Sequence, residues 1–182
     1  MVTKKPLMQH IMIDHETLGT RGDSVVMSIG AVKFDVNSDA IDQEGFYASI
    51  SINSNIRAGR HISEDTIKWW LQQSPEAQKV FFEPKISIEQ ALEDFVSWVG
   101  PGDFTIWSNG ADFDIPQITH LLDTHGLDIP WKFWNHRCYR TMKSLPFAKN
   151  AAKPELGVKH NALSDAINQA QHLQNIFKEM KK

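Results

Sequence analysis

Apolar positions along this chain change their spacing about a third of the way in, and the change separates strands from helices. Residues 11–14, "IMID", are a short apolar run that ends in an acid. Residues 25–34, "VVMSIGAVKF", are apolar on both faces, as in a strand buried inside a sheet. Residues 45–52, "GFYASISI", alternate cleanly, with Phe46, Ala48, Ile50 and Ile52 on one side. The turn-rich "DVNSDAIDQEG" between these two predicts a hairpin connection.

Helical spacing follows. In "HISEDTIKWWLQQ" Ser63 suits an N-cap, Glu64 and Asp65 suit the positive end of the dipole, and Ile62 can staple onto Ile67. Ile67, Trp70 and Leu71 make the expected buried stripe, with Trp69 off it. A second helix over about 87–99 presents Ile88, Leu92, Phe95 and Val96. "FTIWSN" (104–109) reads as a strand and about 113–125 as a helix whose core stripe is Ile118, Leu121 and Leu122. "CYRTMKSL" (138–145) reads as a further strand. The last helix, 162–179, carries Leu163, Ala166, Ile167, Ala170, Leu173 and Phe177 at helical spacing, with Asn161 as its N-cap. Three strands, helices, strand, helix, strand, helix is the order of an α/β fold, a mixed sheet flanked by helices.

Length and composition narrow the class. At 182 residues, 41% of them hydrophobic and 23% charged, the chain is expected to form a single domain with a substantial core. The single cysteine, Cys138, excludes a disulfide framework and a cysteine-rich zinc site, so a cytoplasmic location is expected. No apolar run approaches the ~20 residues that span a bilayer, and the apolar stretch after Lys4 and Lys5 is too short for a signal peptide. The net charge of −3 argues against a general nucleic-acid coat. Residues 132–160, however, hold Lys132, Arg137, Arg140, Lys143, Lys149, Lys153 and Lys159 against Glu155 alone. That asymmetry suits either a phosphate-facing surface or a solvated loop.

Three acidic segments carry the candidate chemistry. Asp14 and Glu16 are two apart at a strand end and project to the same side, with His15 opposite. The pair is either a solvated turn or half of a metal site. In "WSNGADFD" Asp114 lies on the apolar side of a helix first turn, where it either caps the helix amides or meets a partner. Asp112 lies outside the stripe, as the capping or solvated acid of that turn. In "KHNALSD" Asp165 lies about 120° from the centre of the core stripe, at ~100° per residue. His160 stands before the cap on the entering loop. If these groups converge, two carboxylates ~4–5 Å apart repel by about 3–4 kcal/mol at an effective dielectric near 20. Such a cluster takes up protons or hard cations, and all-oxygen ligands favour Mg²⁺ or Mn²⁺.

The motifs "DHE", "NGADFD" and "HNALSD", in this order, resemble those of the DnaQ-like 3′–5′ exonucleases with a ribonuclease H-like fold, in their DEDDh branch. "DTIKWWLQQSPEA" and "PWKFWNHRCYRT" add likeness to the phage exonuclease A and prophage exonuclease VIII group, a phage-like signature over about residues 8–178. The resemblance implies that Asp14, Glu16, Asp114 and Asp165 hold two Mg²⁺ or Mn²⁺ ions. It also makes His160 the general base. The sister branch has a tyrosine where Asn161 stands. It further implies single-stranded or 3′-overhanging nucleic acid as partner, a nucleoside 5′-monophosphate as product, and a homodimer as one assembly. The backbone of Thr17, Leu18 and Gly19 would meet the terminal sugar, with Leu18 wedged against the base. Asn109, Phe113 and Asn161 would line the pocket, Trp69 or Trp70 would either stack on a base or pack in the core, and Arg140 and the lysines of 132–159 would contact phosphate. Competing readings are an internally cutting nuclease, a small-molecule phosphodiesterase, a non-catalytic nucleic-acid-binding module and an accessory subunit of a polymerase or processing complex.

Overall fold

The computed structural model describes residues 8–42 and 44–182. Lys4, Lys5 and one position of the expected hairpin connection lie outside the described residues. The first strand, β1 (His10–Thr17), runs antiparallel to β2 (Val26–Phe34), which pairs antiparallel with β3 (Phe46–Ser49). Two short helices follow, α1 (Ile52–Arg57) and α2 (Glu64–Trp70), then a single turn, α3 (Pro75–Gln78), and the longer α4 (Ile88–Val99). The chain returns to the sheet as β4 (Thr105–Ser108), parallel to β1, and continues through α5 (Asp114–Thr124). It then forms β5 (His136–Cys138), parallel to β4, and ends in α6 (Tyr139–Ser144) and α7 (Ala162–Glu179). The sheet order is β3-β2-β1-β4-β5.

Because β1 is central, its side chains alternate between two cores. Ile11 and Ile13 pack with residues of α4 and α5 on one side, and Met12 packs with residues of α6 and α7 on the other. The same alternation sends Asp14 and Glu16 toward the α7 side and His15 toward α5. A third small core beneath α2 and α3 contains Leu18, Val25, Met27 and Trp70.

Gly30 decides how near α7 can come. It sits opposite Asp14 in the β1–β2 register. A Cβ there would fall 2.1 Å from the Ala162 carbonyl carbon and 2.2 Å from the Leu163 nitrogen. Only a residue without a side chain lets the first turn of α7 rest on the sheet beside Asp14.

The layered mixed sheet is as the periodicity predicts, and three local expectations are corrected. Residues 139–144 are helix α6, and only Cys138 of "CYRTMKSL" belongs to a strand. The strand expected over 45–52 stops at Ser49, because Ser51 caps α1 by accepting from the Ser54 amide. In α2 only Trp70 is buried, at 2% exposure, whereas Ile67 and Leu71 are 40% and 73% exposed. The helix is too short to seat a full stripe, and the small core takes one large ring from it.

Candidate active site

The acids arrive from three elements. Asp14 and Glu16 come from the C-terminal half of β1, just before the β1–β2 register shifts between Glu16 and Thr17. Asp114 opens α5. Its Oδ1 accepts the His15 backbone N–H at 3.1 Å, which ties the helix start to the strand. Asp165 lies in the first turn of α7, and its Oδ2 accepts the His160 backbone N–H at 2.9 Å. That bond holds His160 in the left-handed region, φ 62°, a conformation that costs a side-chain-bearing residue about 1–2 kcal/mol. Asn161 then caps α7 by accepting the Ser164 N–H at 3.0 Å. One ligand atom each from Glu16, His160 and Asp165 lie within 4.8 Å of one another.

Burial and mutual repulsion load this cluster with unfavourable charge. Asp14 is pushed up to about 7, first by burial and then by the Asp165 charge. Glu16 and Asp114 are raised well above the carboxylate range, mainly by burial, with Asp14 adding to both. Asp165 is raised by burial, against the pull of His160, Lys159 and Lys153. Among the described residues no lysine or arginine pairs with any of the four. The buried Gln169 Oε1 and His15 Nε2 have no partner either. A set of hard oxygen ligands that lacks compensating charge suits divalent cations.

Two cavities meet at these acids. One, of about 440 Å³, has an acidic floor of Asp14, Glu16 and Asp165 and a basic wall of Lys143, Lys153 and Lys159, with Asn109 and Tyr139 beside them. The other, of about 390 Å³, is walled by Trp69, Trp70 and Phe113, with Thr20, Asp65 and Thr66 at its edge. Glu16 and His15 line both.

Of the expected substrate residues, Asn109, Phe113, Thr17 and Trp69 line these cavities. Leu18 does not: it packs in the small core at 4% exposure, with its backbone bonded to Val25 and Ser63. Gly19 is likewise buried in the turn, where a Cβ would come within 2.5 Å of the Ser24 hydroxyl. Arg140 bonds the Asn109 carbonyl at 2.7 Å and lines a separate shallow depression. The Asn161 side chain is committed to its cap.

Sequence reasoning missed Gln169, whose Nε2 donates to Asp14 Oδ1 at 2.8 Å. It stands one turn after Asp165, so the i,i+4 spacing was the available signal. It also missed the Gln117 amide, 3.3 Å from His15 Nδ1. Burial holds His15 down at about 4, so this imidazole is neutral at physiological pH.

Asp14, Glu16, Asp165 and His160 line one cavity at the end of β1, with Asp114 bonded to the same strand, and sequence likeness supports the class, a DnaQ-like exonuclease. The family is shown by sequence: residues 9–177 match the model of the 3′–5′ exoribonuclease Rv2179c-like domain, and the chain belongs to that family. It is a 3′–5′ exonuclease, and membership carries dependence on divalent metal. An exodeoxyribonuclease of Enterobacteria phage T4 is 28% identical over 160 residues, covering 74% of this chain and 70% of the relative. Among solved structures, a zinc-bound E. coli ExoI–ssDNA complex matches with a TM-score of 0.63 at 12% identity, covering 94% of this chain and 40% of that one. Cell-death related nuclease 4 (CRN-4) matches at 0.53 and 16%, covering 93% and 63%, and a full-length 3′-exonuclease at 0.53 and 14%, covering 94% and 82%. The chain thus spans about two fifths of ExoI and less than two thirds of CRN-4. These likenesses show the fold.

Proposed function

We propose that this chain removes nucleoside 5′-monophosphates one at a time from the 3′ end of single-stranded or 3′-overhanging nucleic acid, as a DEDDh-type exonuclease. Convergence of Glu16, His160 and Asp165 beside Asp14 is the observation that carries this reading. Asp14, Glu16, Asp114 and Asp165 are the residues that would hold two Mg²⁺ or Mn²⁺ ions. What such ions supply is Lewis acidity toward the attacking water and neutralisation of charge on the departing 3′ oxygen.

The chain's own residues supply the rest. His160 accepts the proton of the attacking water as general base. Gln169 steadies the Asp14 carboxylate, and the His15 backbone steadies Asp114. The aromatic cavity takes the base of the terminal nucleotide, with Trp69 and Phe113 as its walls. Stacking of this kind contributes ~1–3 kcal/mol per base and accepts any sequence. Lys143, Lys153 and Lys159 face the phosphate on the 5′ side. An acidic protein can bind a polyanion here because one wall of one cleft is basic.

The name of the matched family points to RNA and that of the T4 relative to DNA, so both belong in the test. Purified protein is incubated with 3′- and 5′-labelled RNA and DNA in Mg²⁺, Mn²⁺ or EDTA. Mononucleotide release that EDTA abolishes, with covalently closed circles left intact, supports the proposal. Cutting of circles, or binding with no release, rejects it.

A further inference from the structure

The imidazole of His160 is placed by an aromatic contact. Among the described residues neither of its ring nitrogens is hydrogen-bonded, and the chain before it, residues 152–158, has no regular secondary structure. Its ring instead stands edge-to-face on Trp69, with centroids 5.0 Å apart and planes at 88°, and lies 6.1 Å from Trp70. The two tryptophans form a chain of support. Trp70 is buried and donates its Nε1–H to the Thr17 carbonyl at 2.8 Å, one residue beyond Glu16. Trp69 packs edge-on against Trp70 at 5.0 Å and is itself 42% exposed. Trp69 is also a wall of the aromatic cavity.

We propose that Trp69 is a positioning residue for His160. Its indole holds the imidazole beside the Glu16 and Asp165 carboxylates. Because the same indole walls the nucleotide cavity, a base seated there bears on the ring that aims His160. This rests on the reading of His160 as the proton acceptor. An edge-to-face pair biases a rotamer population roughly three- to tenfold, and the indole has no other core to support, so its loss should act on turnover more than on folding.

The test is a double-mutant cycle with a spectroscopic readout. Trp69→Leu should lower kcat about tenfold in the otherwise native protein and less than twofold on a His160→Gln background. Trp69→Phe, which keeps an aromatic face, should recover most of that loss. In metal-free protein the His160 ring-proton resonances, assigned by their absence from His160→Gln, should move by tenths of a ppm in Trp69→Leu as the indole ring current is lost. Equal losses of kcat on both backgrounds, or unmoved His160 resonances, would overturn the inference while leaving His160 as the base. Wild-type kcat in His160→Gln would instead overturn the proton-acceptor role, and this inference with it. A melting curve matching the parent shows that each variant is folded.

Discussion

Gln169 Nε2 donates to Asp14 Oδ1 at 2.8 Å, across 155 residues of chain. The bond joins α7 to the central strand at the point where four carboxylates crowd. It also draws the Asp14 proton affinity down, against burial and Asp165, which push it up. Groups of this kind orient a ligand as much as they stabilise the fold.

Replacing Gln169 by Leu should therefore weaken metal binding more than folding. The expected result is a 10–100-fold rise in the Mn²⁺ concentration for half-maximal activity, the order typical when a residue that hydrogen-bonds a metal ligand is removed, with saturated kcat reduced less. Activity against Mn²⁺ concentration measures it.

Gly30 is the second structural lever. Gly30→Ala places a methyl 2.1–2.3 Å from the backbone of Ala162 and Leu163, and helix backbone cannot yield as a side-chain tip does. We expect a loss of about 1–3 kcal/mol or more in urea denaturation. We also expect activity to fall to a few per cent, because His160 and Asp165 move with the start of α7.

Stability should depend on pH with a sign set by the acids. Folded-state values raised above the unfolded ones mean that stability is fully present below about pH 4. It is then lost as pH rises through about 7 for Asp14 and through the raised values of Glu16 and Asp114. His15, held down at about 4, works in the opposite sense, adding stability as pH climbs from there to about 6.5. Above about pH 6.5 the His15 effect is complete and the buried acids dominate. In EDTA the melting temperature should fall between about pH 6.5 and 8. Saturating Mn²⁺ at pH 8 should raise it again, ~2.7 kcal/mol being gained at a hundredfold excess over Kd. Differential scanning calorimetry at both pH values checks the sign.

The basic wall should act on substrate capture. Lys143→Ala combined with Lys153→Ala should raise KM several-fold on oligonucleotides and leave kcat near the parent value. It should also flatten the dependence of log KM on log salt, by ~0.7 for each phosphate of a single strand that the wall no longer neutralises. A salt series on one labelled oligonucleotide measures it.

Much of this was legible in the chain. The apolar runs over 11–14 and 25–34 and the alternation over 45–52 marked the antiparallel strands, and the caps Ser63 and Asn161 fell where the helix starts are found. Apolar patterning also put Asp114 inside and Asp112 outside. The misreadings have a common cause. Residues 139–144 and the stripe of α2 belong to segments of six or seven residues, too short for periodicity to tell helix from strand or to fix a buried face. The resemblance alone set Leu18 against the base, whereas the structure packs its side chain in a local core with Trp70 and Val25. The i,i+4 spacing put Gln169 on the Asp165 side of α7, but its bond to Asp14, like the Trp69–His160 contact, depends on how α7 settles over Gly30.

Crystals of the protein grown with Mn²⁺ and a nucleoside 5′-monophosphate, with anomalous scattering collected at the manganese edge, bear most directly on the convergence of these side chains. Two anomalous peaks bounded by Asp14, Glu16, Asp114 and Asp165, with the base of the nucleotide against Trp69, are the expected result. Peaks at other residues, or none at saturating Mn²⁺, would contradict it.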